Sequence, residues 1–235
     1  MTNRYLEWKG WDGQVFGTID RDDALYFPME MRACGLDSMR GLRIGEIGFG
    51  NGSYAAWVKQ NGGTWIGRET HPELRRRAME AGFIVISEGD PFPAADGGGQ
   101  LDLLVAFDVL EHLELVAIRA FLKEARDTLK PGGRLVFRIP SGDSPFSGVF
   151  FHGDPTHRTL LGSKAVAQLA LEAGLEICQV RSPVQPIRGH GPVRSMRRLA
   201  ARWIQMLVFS LIRNILMAES TAVVSPNMLV VLRNS

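Results

Sequence analysis

The chain has 235 residues, of which 45% are hydrophobic and 22% charged, as in an ordinary soluble globular protein. That length suits one α/β domain with additions, although two small domains would also fit. A formal net charge of +2 is too small to indicate nucleic-acid binding by itself. The two cysteines, Cys34 and Cys178, lack a CxxC spacing and predict free thiols in a reducing compartment.

Neither end of the chain carries an evident targeting or spanning segment. Residues 1–14 are polar and aromatic, without the apolar centre of a signal peptide. The longest apolar stretch, residues 203–212, is interrupted by Gln205 and Ser210 and is shorter than the roughly 20 residues that a membrane span requires. We therefore expect a cytoplasmic protein.

Apolar runs of strand length alternate with amphipathic helical patterns, which predicts an α/β protein with a parallel sheet. Strands are expected at 42–47, 64–68, 83–87, 101–107, 134–139, 175–180 and 228–232. Helices are expected at 53–60, 71–81, 115–129 and 163–173. Residues 130–133, Lys-Pro-Gly-Gly, should end a helix and form a turn, and residues 141–161 should form a long loop.

Two segments stand outside this alternation. Residues 1–40 are interpreted as a lid or added helices, and residues 41–186 with 222–235 as the core. Residues 187–221 are too long for an ordinary connection and predict a basic amphipathic helical insertion before the last strand. Six arginines and no acid occur between 188 and 217: Arg188, Arg194, Arg197, Arg198, Arg202 and Arg213.

Two interpretations of the insertion are open. Its apolar residues recur at near-helical spacing and would pack on the domain or dimerise as a cap, with the arginines in water. Alternatively, it would be an interfacial helix that brings the protein to an anionic membrane. The cap is the favoured interpretation.

The most informative segment follows the first strand, where Glu46 precedes three alternating glycines, Gly48, Gly50 and Gly52. A glycine-rich turn between a strand and a helix lets the backbone approach a ligand closely. The dinucleotide fingerprint GxGxxG would need glycine at position 53, where this chain has Ser53. A carboxylate at Glu46 repels phosphate and attracts an ammonium group. The loop therefore fits a methionine-derived sulfonium cofactor, which has an ammonium and carries no phosphate.

These features resemble the class I, Rossmann-like methyltransferases that use S-adenosylmethionine, and the resemblance runs from about Gly41 to Pro140. Residues 64–69 are similar to that family's second motif, and residues 88–90 ahead of Phe92-Pro93 to its third. Residues 107–112 are similar to its fourth-strand motif, and residues 129–134 to the turn before its fifth strand.

The resemblance implies roles for single residues. Glu69 would bind the ribose hydroxyls, and Asp90 would meet the adenine amino group. The backbone of Phe107 and Asp108 would border the cofactor. The whole implied cofactor site comprises Glu46, Gly48, Phe49, Gly50, Gly52, Glu69, Asp90, Phe107 and Asp108.

The resemblance also implies the fold and the activity. The fold would be a seven-stranded, mostly parallel sheet in the order 3-2-1-4-5-7-6, with the last strand antiparallel and helices on both faces. The activity would be transfer of a methyl group to a hydroxyl, less readily an amine, of a small molecule, sugar or lipid-linked glycan precursor. Two alternatives stay open: a binding domain that has lost catalysis, and an RNA or protein methyltransferase. No Asn-Pro-Pro-Tyr-like acceptor motif follows the fourth strand.

Candidate bases are sought after strands four and five, where an acceptor would approach. His112 lies in the segment after strand four, and the segment after strand five contains His152, Asp154 and His157. A neutral imidazole suits proton removal from a hydroxyl near pH 7. Alternatively, these residues would only orient turns and helix ends. The stretch 154–157, Asp-Pro-Thr-His, resembles one in methyltransferases of bacterial glycan and natural-product pathways. We expect no metal site, no nucleic-acid partner and a small-molecule or glycan acceptor, and a homodimer is left open.

Overall fold

The computed structural model describes residues 4–87, 89–90, 92, 100–187, 189, 191–219 and 221–235, with only the backbone of Arg4 and Tyr5. Glu88, Pro93 and Arg188, which the sequence motifs include, lie outside these described residues. The strands are β1 Arg43–Ile47, β2 Thr64–Arg68, β3 Ile84–Ile86, β4 Leu101–Phe107, β5 Leu129–Pro140, β6 Leu175–Arg181 and β7 Asn227–Asn234.

The seven strands form one sheet in the order β3-β2-β1-β4-β5-β7-β6. Strands β1 to β5 pair in parallel, whereas β7 runs antiparallel to both β5 and β6. This confirms the predicted order and direction. The apolar run of β4 is almost entirely buried because both faces of the central sheet are covered.

Helices cover both faces of the sheet. They are α1 Arg4–Trp8, α2 Arg21–Ala33, α3 Ser53–Gln60, α4 Pro72–Glu80, α5 Leu115–Thr128, α6 Ser147–Phe151, α7 Ser163–Ala173 and α8 Pro192–Leu211. One core cluster joins α5 and α7 to the sheet, and a second joins α2, α3 and α4 to its other face. The N-terminal helices thus take part in the main core, where Phe27 and Met31 of α2 are buried.

Strand β5 is longer than predicted because residues 130–133 fall within its bounds. Leu101 pairs with Leu129 and Leu103 with Arg134, so β5 advances five residues while β4 advances two. The predicted turn is therefore an irregularity inside the strand pairing. The predicted loop 141–161 contains the short helix α6.

The insertion forms one long helix, α8, which continues as a π-helical turn over Ile212–Leu216. By length and composition alone, the combined 25-residue helix is apolar enough to cross a membrane, which corrects the expectation drawn from residues 203–212. None of its residues is buried. Within a single chain the apolar face of α8 is therefore not covered by the domain, and a cap that dimerises through this face stays a prediction.

Candidate active site

The segments that carry the predicted site leave the sheet at one edge. Because β1 to β5 are parallel, their carboxyl ends lie together, and the connections after them converge there. The glycine-rich loop follows β1, Glu69 follows β2, and Asp108 follows β4. The loop after β5 brings Asp154 and His157 towards His112, as detailed below.

The loop after β1 has a backbone that only glycine adopts without strain. Gly48 has φ +67°, and a Cβ there would lie 2.5 Å from Cγ2 of Val109. Gly50 has φ +54°, and a Cβ there would lie 2.6 Å from the ring of Trp11. Both positions combine a left-handed conformation with close approach of a neighbouring side chain. The loop therefore has the glycine-dependent conformation that the sequence pattern predicted, and its contact with a cofactor stays a prediction.

Glu46 is buried in β1, with 4% of its surface exposed. Its Oε2 accepts a hydrogen bond of 2.7 Å from Nε1 of Trp65 on β2. Burial raises the pKa of Glu46 to about 8, against the opposing effect of the Trp65 hydrogen bond. A cationic ligand beside such a buried carboxyl would lower its pKa again and stabilise its ionised form. This fits the ammonium group of the expected cofactor.

Glu69 links the second motif to the glycine loop. Its Oε2 accepts from the amide of Gly50 at 3.1 Å, and its Oε1 accepts from the amides of Thr70 at 2.8 Å and His71 at 3.0 Å. Each carboxylate oxygen can accept more than one hydrogen bond, so these contacts fix the group without using all its capacity. Glu69 therefore stands beside the loop in a position that suits ribose hydroxyls.

Asp90 lies exposed beyond β3. Its carbonyl oxygen accepts a hydrogen bond from the guanidinium of Arg68, which also forms a 2.7 Å ion pair with Glu124 and lies 4.9 Å from the ring centroid of Phe92. Arg68, which precedes Glu69 in the second motif, therefore anchors the backbone of the third motif.

Phe49 was expected at the cofactor, but its side chain is turned into the core with 4% exposed. Its ring contacts Trp65 and Phe16 edge-on, at centroid distances of 5.3 and 5.8 Å. Only the backbone of Phe49 belongs to the loop. The large side chain is accommodated because the aromatic cluster beneath the loop provides its space.

The fourth motif is held by an arginine that the sequence motifs did not single out. Arg138 of β5 binds both carboxylate oxygens of Asp108, with Nε at 2.9 Å from Oδ1. Asp108 has φ +56°, a strained conformation for a residue other than glycine. The guanidinium of Arg138 also lies 5.6 Å from the ring centroid of Phe107 and 5.5 Å from that of Tyr26. The bidentate ion pair therefore stabilises the turn that borders the predicted cofactor site.

The segment 11–17 lies directly on the glycine loop. The amide of Gly17 donates to the carbonyl of Asn51 at 2.7 Å, and Asn51 Nδ2 donates to Gln14 Oε1 at 2.9 Å. A Cβ at Gly52 would collide with the ring of Phe16. This segment therefore covers the glycine loop with Trp11 and Phe16, and its action as a lid over a cofactor stays a prediction.

His112 and His157 meet where the loops after β4 and β5 come together. Their ring centroids are 4.7 Å apart. Thr156 Oγ1 donates to Asp154 Oδ1 at 2.6 Å, so it accepts at 2.9 Å from Nδ1 of His112. Nδ1 of His157 lies 2.8 Å from the carbonyl oxygen of Phe151, which can only accept. In their neutral forms, both rings therefore keep Nε2 unprotonated, as a base requires.

Glu111 lies beside the two histidines, with 3% of its surface exposed. Its carbonyl accepts from the amides of Arg158 at 2.7 Å and Thr159 at 3.1 Å, which ties the two loops together. Burial raises the pKa of its carboxyl to about 8. Ligand atoms of Glu111, His112 and His157 all lie within 4.8 Å of one another, so these three residues have the spacing to hold a metal ion. The sequence had not suggested this combination.

His152 is placed differently from the other candidate bases. It is exposed at the end of α6, and its ring contacts Phe151 at a centroid distance of 5.3 Å. Asp154 is buried and lies 4.0 Å from both Nζ of Lys9 and Nε2 of His157. The geometry thus brings together His112, Asp154 and His157, and leaves His152 outside their cluster.

Comparison with known proteins gives three findings. Residues 30–180 match a family described as a methyltransferase domain. A segment of 106 residues, 43% of this chain, is 30% identical to the ubiquinone biosynthesis O-methyltransferase of Azorhizobium caulinodans, and it covers 41% of that protein's length. The fold is similar to S-adenosylmethionine-dependent methyltransferases from Archaeoglobus fulgidus and Mesorhizobium loti.

The two structural likenesses extend over nearly the whole chain. For the Archaeoglobus fulgidus protein the TM-score is 0.62 with 17% identity, covering 99% of this chain and 100% of that one. For the Mesorhizobium loti protein the TM-score is 0.62 with 18% identity, covering 91% of this chain and 100% of that one. At these identities the likeness establishes the fold.

Proposed function

Because the chain belongs to the methyltransferase-domain family and is an S-adenosylmethionine-dependent enzyme of class I, we propose that it methylates a hydroxyl oxygen of a small molecule. The observation that carries this proposal is the pair of imidazoles after β4 and β5, both with Nε2 available to accept a proton. A hydroxyl is a poor nucleophile until its proton is removed, and a positioned neutral histidine suits that task.

The residues around the glycine loop would hold the methyl donor. Glu46 would receive its ammonium, Glu69 its ribose hydroxyls, and the backbone at Gly48 and Gly50 would approach it closely. Asp90 would face the adenine, as the sequence motif implies. When bound, S-adenosylmethionine supplies a methyl group already activated by the sulfonium.

The chain's own residues then act on the acceptor. Burial, followed by the neighbouring His157, lowers the pKa of His112, so its ring is neutral at physiological pH. We assign proton removal to Nε2 of His157 or His112, with Thr156 and Asp154 orienting the His112 ring. As the oxygen–methyl bond forms, the hydroxyl proton passes to the imidazole, which becomes cationic beside the Asp154 carboxylate. The segment 11–17 would exclude water from the donor side.

The relative from Azorhizobium caulinodans supports oxygen as the acceptor atom, because its name is that of an O-methyltransferase. The alignment covers 41% of that protein, so its ubiquinone pathway is not carried over to this chain. A sugar or a lipid-linked glycan precursor remains within the proposal, since each offers hydroxyl groups.

The experiment that tests the proposal combines binding with transfer. Calorimetric titration of the chain with S-adenosylmethionine and S-adenosylhomocysteine should give micromolar or tighter binding of both. The chain would then be incubated with labelled S-adenosylmethionine and matched pairs of acceptors, each pair with a hydroxyl or an amine on the same ring or sugar. We expect label in the hydroxyl member of at least one pair.

Other outcomes would favour the remaining alternatives. Tight cofactor binding with no transfer to any pair would favour a non-catalytic binding domain. Label in transfer RNA or in protein, and not in small molecules, would favour a macromolecular acceptor. Preferential label in the amine members would replace oxygen by nitrogen as the acceptor atom.

A further inference from the structure

The helix α8 has two chemically different faces. Helical periodicity places Met196, Ala200, Trp203 and Leu207 on one stripe, since they recur at intervals of three or four residues. Arg194 and Arg198 lie on the opposite side of the same helix, and Arg197 lies at the border of the stripe. No aspartate or glutamate occurs between residues 192 and 217. This charge distribution is typical of helices that lie at a membrane surface.

The apolar stripe is open to solvent in the folded chain. Met196, Trp203 and Leu207 expose 72%, 65% and 63% of their surface. A cluster of exposed apolar side chains along a 20-residue helix is unusual for a soluble surface. Ile204, Ile215 and Leu216 are further apolar side chains of the same helix and its π-helical continuation, each at least 64% exposed.

The contacts that hold α8 use its other sides. Arg198 Nη2 lies 3.2 Å from Asp22 Oδ1, and its Nη1 donates to the carbonyl of Pro186 at 2.9 Å. The ring of Phe209 lies 6.5 Å from that of Phe146. A cleft of about 960 Å³ separates Met206 and Phe209 from the edge strand β6. The helix is thus attached with its apolar stripe turned away from the domain.

We propose that α8 docks in the plane of an anionic phospholipid bilayer, with its apolar stripe in the headgroup–acyl boundary and its arginines at the lipid phosphates. The arginines argue for this occupant, because a second copy that covered the stripe with its own α8 would bring no acid, since none occurs between residues 192 and 217. Arg194, Arg197 and Arg202 are exposed and have long side chains that reach a phosphate layer beside the helix.

An in-plane position agrees better with the sequence than a span does. Arg202 and Arg213 both lie within the apolar part of the 25-residue helix. A spanning arrangement would carry these guanidinium groups into the hydrocarbon, which is costly. Lying in the interface, α8 leaves the exposed Arg202 in the headgroup layer, and Arg213 stays in the cleft beside β6. Docking of this kind is peripheral and does not depend on the identity of the methyl acceptor.

Vesicle co-sedimentation of the full chain tests this proposal. The vesicles would contain phosphatidylcholine alone or an equal mixture with phosphatidylglycerol. We expect the wild-type chain to pellet with the anionic vesicles and only weakly with the neutral ones, and added salt to weaken the binding. The double substitution Trp203→Glu and Leu207→Glu should reduce binding to anionic vesicles by about tenfold or more, since it places acids on the stripe that would enter the bilayer. Arg194→Gln with Arg197→Gln should remove the preference for anionic lipid.

Matched controls separate docking from general surface changes. Leu171→Glu alters an apolar residue that is 81% exposed on α7, and Lys123→Gln removes an exposed charge on α5. Both should bind vesicles like the wild type, and all variants should keep S-adenosylmethionine binding. Equal vesicle binding by the wild type and the Trp203/Leu207 variant would overturn the proposal. A wild-type chain that forms dimers and does not bind vesicles would also overturn it, if the Trp203/Leu207 variant is monomeric. Resistance of the membrane-bound chain to extraction by alkaline carbonate would indicate a spanning helix and would overturn it as well.

Discussion

The indole Nε1 of Trp65 donates a hydrogen bond of 2.7 Å to Oε2 of Glu46, which joins the middle of β2 to the carboxyl group ahead of the glycine loop. Among the described residues, side-chain hydrogen bonding to Glu46 involves only Oε2. The indole therefore orients the carboxyl without occupying both of its oxygens. Because Glu46 is buried, its protonation state links cofactor binding to folding stability.

Glu46→Gln should have opposite effects on stability and on binding. Burial raises the pKa of Glu46 from its ordinary 4.5 to about 8, so the folded chain holds a proton that the unfolded chain loses. Its contribution to stability is fully present below pH 4.5 and is lost as the pH rises through about 8. Glutamine removes this loss, so the free energy of unfolding of the cofactor-free chain at about pH 9 should rise by up to about 5 kcal/mol.

The same substitution should weaken S-adenosylmethionine binding by about tenfold or more, because the ammonium loses its carboxylate. Chemical denaturation at several pH values and calorimetric titration measure the two effects. Glu80→Gln, which removes an exposed acid from α4, is the control and should change neither. Unchanged cofactor affinity in Glu46→Gln would exclude Glu46 from ammonium binding.

Gly50→Arg should abolish cofactor binding while the chain stays folded. The new side chain would start 2.6 Å from the ring of Trp11 and would require φ +54°, which arginine rarely adopts. Gly41→Arg is a matched control, because Gly41 has φ +75° and a Cβ there would meet nothing within 4 Å. Calorimetry should show no S-adenosylmethionine binding for Gly50→Arg and near wild-type affinity for Gly41→Arg. Equal affinity in the two variants would contradict a cofactor site at this loop.

The positions of the strands could be predicted because their information is local, whereas their order in the sheet followed from the family resemblance. The bounds of β2, β4 and α7 agree with the prediction, since each is a compact apolar or amphipathic run between clear turn residues. The conformation of the glycine loop could also be predicted, because it depends on three glycines that are close in sequence. Its partners were not: Trp11 and Arg138 reach the site from segments far away in the chain, and no local pattern indicates such contacts.

Two features could not be predicted, for the same physical reason. The sequence places Phe49 in the loop but does not show on which side of the loop its ring lies. In the structure the ring packs against the aromatic side chains beneath the loop. The periodicity of 193–217 predicted an amphipathic helix but could not tell whether the domain has an apolar surface to receive it. In both cases the pattern identifies an apolar side chain, and tertiary packing decides what covers it.

The three histidines should separate into two classes when replaced by alanine. His157→Ala and His112→Ala should each slow transfer to the hydroxyl acceptor by about a hundredfold, because each removes an Nε2 base candidate or its neighbour. His152→Ala should leave transfer near the wild-type rate, since His152 lies exposed outside the cluster. S-adenosylmethionine affinity should be nearly unchanged in all three variants. An equal loss of cofactor binding in His157→Ala would contradict the assignment of His157 to the acceptor side.

The pH dependence of methyl transfer should follow the pKa of His112. Two neighbouring charges shift this pKa in opposite directions. Burial and the neighbouring His157 lower its pKa below the ordinary 6.5, so kcat should stay constant to below that value before falling in acid. Asp154 raises the pKa of His112 and Lys9 lowers it. Asp154→Asn should therefore move the acid limb to lower pH, and Lys9→Met should move it to higher pH.

The opposite signs make this pair of variants diagnostic, because a general loss of structure would move both limbs the same way. The side-chain amide introduced by Asp154→Asn would keep an oxygen for Thr156, so the orientation of the His112 ring is retained in that variant. Full pH profiles of kcat for the wild type and both variants measure the shifts. Limbs that do not move, or that move together, would show that protonation of His112 does not limit the reaction, and would leave His157 as the base.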